Sequence, residues 1–165
     1  MKELTSGWKL FKLGSILQMI NVLFHLVITI PSLIYPGSFL IGLLSTLSYC
    51  SIGAFLYLGL SILNNNYPDI PLAPSHKRNF NRLFILNFLA IAILFAELFN
   101  KWRNLFPLLL GDSYEFDGEE IFLIVLFLFI PLFLFVFHFV FLVGMYRLRK
   151  LLHTNQETDW EKQFE

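Results

Sequence analysis

Long apolar runs alternate with short polar stretches along this chain. Four runs stand out, at about residues 13–35, 38–63, 83–99 and 121–146, and Glu97 is the only formal charge inside any of them. About 20 mostly apolar residues in helical form cover the roughly 30 Å of a bilayer's hydrocarbon. The pattern therefore predicts an all-α polytopic membrane protein, a four-helix up-down-up-down transmembrane bundle in one domain spanning residues 1–165. Tyr35-Pro36-Gly37 between the first two runs suits a tight turn and predicts an antiparallel hairpin. Asn64-Asn65-Asn66-Tyr67-Pro68 signals a helix stop after the second.

Charge placement adds direction. Ten of the twelve Lys and Arg residues fall before the first run, between the second and third, or after the fourth. Only Lys101 and Arg103 fall in the remaining connection, beside Asp112, Glu115, Asp117, Glu119 and Glu120. Cation-rich connections stay in the cytoplasm. Both termini are thus expected there, in the cell (inner) membrane. Trp8, Trp102, Tyr114 and Tyr146 suit the two headgroup layers.

Composition agrees. Hydrophobic residues make up 56% of the chain and charged residues 15%, against about 25% charged in a typical soluble domain. Zero formal net charge gives nucleic acid no basic surface to bind. A single cysteine, Cys50, excludes an internal disulfide and a two-thiol redox cycle. The run at 13–35 is too long for a signal-peptide core and carries Gln18, Asn21 and His25, so it is expected to be a retained span.

Small residues are expected to bring spans together, because apolar surface drives no association in lipid. On span two, Gly42, Thr46, Cys50 and Ala54 recur every four residues, flanked by Ser45, Tyr49, Gly53 and Tyr57. They predict a flat packing face. On span one, Gly14, Gln18, Asn21, His25, Thr29 and Ser32 form one stripe at helical spacing, expected to face the interior. Span three adds Asn87 and an ion pair, Glu97 with Lys101. Span four adds His138, on one side with Glu120, Pro131 and Arg149, and Pro131 is expected to kink that helix or free a backbone carbonyl there. At about 1.5 Å rise per residue, Asn21, His25 and His138 are expected within one helical turn of depth. Gln18, Asn21, His25, Asn87 and His138 then form the candidate intramembrane polar cluster.

Several chemistries compete for these residues. Two histidines on facing spans suit a bis-histidine haem b site, although the phenylalanines around His138 leave a haem little room. The polar cluster suits a transporter or channel component, but no mid-membrane carboxylate completes a track. The acidic loop 112–120 lacks the terminal glutamate of an EF-hand, since Ile124 stands there. No nucleophile elbow, phosphate loop or zinc motif occurs. From Thr154 a short cytoplasmic helix is expected, with Thr158 and Glu161 as a capping box. The topology resembles that of immunity proteins against pore-forming bacteriocins, which also have four spans and cytoplasmic ends, without a shared motif. Abundant packing signal beside scarce chemistry points to a non-catalytic accessory subunit, immunity-type protein or scaffold. No cofactor or metal is expected, and the partners are the lipid bilayer and another membrane protein or a second copy.

Overall fold

The computed structural model describes residues 4–68, 70–110 and 118–161, and the acidic loop 112–117 lies outside them. Four α-helices account for nearly all of the described chain: α1 Ser6–Thr29, α2 Phe39–Asn65, α3 Pro74–Leu110 and α4 Gly118–Glu161. Among the described residues, three helical stretches are long and apolar enough to cross a membrane, Ser6–Leu33, Phe39–Asn65 and Pro74–Asn104. The side chains of much of the fourth apolar run lie outside the description.

Local chemistry sets the helix ends. Pro31 has no amide hydrogen to donate, and α1 gives way to a 3₁₀ turn, Ile30–Leu33. The hydroxyls of Thr29 and Ser32 donate to the carbonyls of His25 (2.7 Å) and Thr29 (2.6 Å), satisfying acceptors in this last turn. Asn66 closes α2. Its amide hydrogen-bonds Ile62 O at 2.8 Å, and its side-chain nitrogen donates to the carbonyls of Ile70 and Pro71 at 3.3 and 3.2 Å. Pro74 then opens α3 at a position where a missing amide hydrogen is harmless.

One expectation about α4 changes. Its backbone is helical through Pro131, and it runs on to Glu161 with no separate helix starting at Thr158. Residues 147–161 contain no Gly or Pro to break it.

Contacts between successive helices run in opposite numerical order. On α1 and α2, Lys12 reaches Asn64 (2.8 Å), Val22 lies beneath Gly53 and Ser32 abuts Gly42. On α2 and α3, Ser45 meets Glu97, Ser51 meets Asn87 and Phe55 meets Phe80. On α3 and α4, the Arg149 guanidinium lies over the Phe80 ring, Asn87 meets His138 and Phe95 meets Phe135.

The buried residues of α2 correct the predicted packing face. Gly42, Ser45, Tyr49, Ile52, Leu56, Gly59 and Leu63 are all buried, at alternating spacings of three and four. Cys50, Ala54 and Tyr57 are exposed, Thr46 and Gly53 half-buried. Geometry explains the difference. A row taken every four residues turns about 40° per step, so it leaves the contact by Ala54, whereas a mean spacing of 3.5 stays on the seam.

The aromatic core gathers where all four helices meet. Phe55 of α2 contacts Phe80 and Phe84 of α3 and Phe141 of α4 at ring separations of 5.4, 6.0 and 5.6 Å. Phe11 of α1 stacks on Phe141 at 5.4 Å, and Trp8 packs edge-on against Phe11. Such pairs contribute roughly 0.5–1.5 kcal/mol each beyond area burial.

The same change at two glycines of α2 should have opposite signs. A Cβ on Gly42 would collide with Ser32, including its backbone carbon at 3.1 Å, whereas a Cβ on Gly53 meets only Val22 at an ordinary 3.6 Å. Gly42→Ala should destabilise the bundle by about 1–3 kcal/mol. Gly53→Ala should stabilise it by up to about 1 kcal/mol through helix propensity. Unfolding in mixed detergent micelles reads both.

Candidate functional site

Asn87 is fully buried on α3. Its side-chain nitrogen donates to Leu83 O at 2.8 Å and to both the carbonyl and the hydroxyl of Ser51 at 3.3 Å. Carbonyls only accept, so these contacts fix the amide orientation. Oδ1 is left to meet Nε2 of the fully buried His138, 2.7 Å away. Nε2 therefore carries the proton, and Nδ1 of a neutral imidazole holds a lone pair. Among the described residues Nδ1 has no hydrogen-bond partner. The ring lies against Phe141. One side chain thus ties α3 to both α2 and α4.

A second cross-link sits at the other end of α3's apolar stretch. Glu97 pairs through Oε1 with Lys101 Nζ at 2.7 Å, one helical turn on. Through Oε2 it accepts a hydrogen bond from the hydroxyl of Ser45, which is buried on α2. The lysine side chain is 62% exposed and the carboxylate 22%, so the pair lies at the edge of the apolar interior. His25 stacks flat on Tyr49 with ring centres 5.3 Å apart. Its Nε2 is buried with no hydrogen-bond partner among the described residues.

The span-one stripe is placed as follows. Gln18 is buried, Gly14, Asn21, His25, Thr29 and Ser32 are half-buried, and none faces outward. The predicted cluster is divided, however. His138 is held by Asn87 of α3, while His25 is held by Tyr49 of α2. The two imidazoles have separate neighbours, and ligation by His138 Nε2 would require it to release Asn87. This donor set does not fit a bis-histidine haem. Among the described residues, no three His, Cys, Asp or Glu side chains gather as metal ligands would.

Both oxygens of Glu97 and both ends of the Asn87 amide are engaged, so these groups act as struts between helices. Ser51 and Ser45 were the harder partners to foresee. A mid-span serine commonly bonds its own helix four residues back, as Ser15 and Ser48 do here. Only contact with a residue of α3 distinguishes Ser51 and Ser45 from them.

A groove of about 630 Å³ lies between α1 and α4. Phe11, Gly14 and Gln18 form one wall, Phe137 and Gly144 the other, and Arg147 stands at one end.

Removing either end of the inner cross-link strands the other. Asn87→Leu and His138→Phe should each destabilise the bundle by about 1–3 kcal/mol. The double variant should cost less than the two together, with a coupling of about 0.5–2 kcal/mol. Strict additivity in a double-mutant unfolding cycle would contradict the cross-link.

No protein-family model, curated protein or solved structure matches the chain, so its function is read from its own geometry.

Proposed function

We propose that this chain is a multi-pass membrane protein whose four helices cross the bilayer in up-down-up-down order with both ends in the cytoplasm. We further infer that it acts without catalysis, as an accessory, immunity-type or scaffold partner of another membrane protein through helix contacts. The opposed order of contacts between successive helices supports the bundle. Lys and Arg placement supports the orientation.

The exterior supports the solvent. Leu13, Leu17, Ile20, Phe24 and Val27 on α1 are each more than half exposed, as are Ile85, Leu89, Phe95 and Phe99 on α3. Contiguous apolar surface on this scale is foreign to soluble monomers. Hydrocarbon accepts it without cost.

One observation carries the functional reading. The buried polar side chains of Asn87, His138 and Ser45, with the half-buried Glu97, are engaged in linking helices, and beside them a lateral groove lies open between α1 and α4. At Gly14, in its wall, a Cβ would find nothing within 4 Å. A small residue in an open groove lets a neighbouring helix approach closely. The groove between α1 and α4 is therefore the proposed partner face, for another membrane protein or a second copy.

Two measurements test this. In a Cys50→Ser background, an impermeant maleimide should label Arg103→Cys on intact cells, and Lys9→Cys and Lys150→Cys only after lysis. Labelling of Lys9→Cys and Lys150→Cys from opposite sides would refute the topology. Gly14→Leu should abolish copurification of a partner, or self-association, in mild detergent without lowering the unfolding midpoint. Wild type that is always solitary would refute the partner role.

A further inference from the structure

A second cleft, of about 600 Å³, opens between the C-terminal half of α2 and the start of α3. Its lining has two parts. Tyr57, Ser61, His76, Asn79 and Arg82 supply polar groups, and Ala54, Leu58, Leu83 and Leu86 supply an apolar wall. His76 is the third residue of α3, and Ser61 lies four residues from the end of α2. The polar part therefore adjoins the connection between these helices. The apolar wall extends toward the helix centres, with Ala54 about 10 Å from Ser61 along α2.

These polar groups do not satisfy one another. Two cations of the neighbouring helices have partners, Lys12 on Asn64 and Arg149 on Phe80. Among the described residues, Arg82, His76, Asn79 and Tyr57 have no hydrogen bond or ion pair. Ser61 Oγ accepts from Asn65 Nδ2 at 3.2 Å, which leaves its own hydrogen to donate. Among the described residues no Asp or Glu lines the cleft. Guanidinium, imidazole, amide and hydroxyl donors thus share one anion-attracting space, continuous with an apolar wall.

We propose that this cleft holds one anionic phospholipid of the cytoplasmic leaflet, its phosphate at Arg82, Ser61 and Asn79 and an acyl chain along Leu58 and Leu86. The inference rests on the membrane reading above. Charge complementarity and the amphipathic lining select this occupant: a free anion has no use for the apolar wall, and an apolar partner helix would bury the guanidinium unpaired. Basic pockets between spans on the cytoplasmic side are a recognised way of holding such headgroups.

The test is native mass spectrometry of the full chain released from detergent containing phosphatidylglycerol, phosphatidylcholine or inorganic phosphate alone. A retained phosphatidylglycerol adduct several-fold above phosphatidylcholine is expected. Arg82→Gln should reduce it about fivefold, as loss of one membrane-facing cation does, and Arg103→Gln should leave it unchanged. Ser61→Ala with Asn79→Ala should reduce it while leaving both arginines in place. Circular dichroism shows whether each variant folds. Equal retention of the two lipids, or equal loss in both arginine variants, would overturn the proposal. So would binding of phosphate alone with the same dependence on Arg82, which would mark a free-anion site. Alkaline carbonate extraction separates the two failures. A chain that stays in the membrane but shows no lipid preference removes this site alone, whereas a chain stripped by carbonate removes the membrane reading and the lipid site with it.

Discussion

The hydrogen bonds of Asn87 hold the middle of this bundle together. In the membrane environment proposed for this apolar exterior, burial does not choose which helix lies beside which, because hydrocarbon receives Leu and Phe as readily as a neighbouring helix does. A buried amide has no such indifference. Asn87 reaches Ser51 on α2 and His138 on α4 from one position on α3, so a rotation of α3 breaks bonds on two sides together. Glu97 and Ser45 repeat the constraint nearer the other end of α3, and fix the pairing of α2 with α3 at a second depth.

Around these struts the contacts are close-fitting. Glycines at 42, 59 and 144 sit where a Cβ would strike Ser32, Met145 or Phe11, so the backbone comes close to α2 at Gly42, and side chains of facing helices fill the space at Gly59 and Gly144. Phe11, Phe55, Phe80, Phe84 and Phe141 fill the region where the four helices converge. Dispersion in such contacts is available in lipid as it is in water. A tight aromatic centre and small residues at the crossings are therefore the expected means of holding spans together.

The two clefts differ in the occupants they favour. The groove between α1 and α4 is largely apolar, with glycine in both walls. The cleft between α2 and α3 places a guanidinium, an imidazole and several hydrogen-bond donors above an apolar wall. The first suits another helix and the second a phospholipid headgroup with its chain.

How much was legible beforehand follows from the range of each signal. Apolar run length, Pro36-Gly37, the asparagines at 64–66 and the distribution of Lys and Arg act within a few residues. They determined four helices, their approximate bounds and the expected orientation. The inward stripe from Gly14 to Ser32 was legible for the same reason. A helix near the C-terminus was expected from Thr154. Its continuity with span four was missed because the fall in hydropathy after Tyr146 suggested the end of a helix, while the lack of Gly and Pro over residues 147–161 was visible.

What the tertiary structure alone decided is lateral. His138 belongs with Asn87 and His25 with Tyr49. The seam of α2 follows Gly42, Ser45, Tyr49 and Ile52 rather than Gly42, Thr46, Cys50 and Ala54. Ser51 is a partner and Ser48 is not. Each depends on how helices rotate against one another across separations such as the 36 and 51 residues that part Asn87 from Ser51 and His138. A periodic pattern says which face turns inward, but the neighbour that face meets is set by packing.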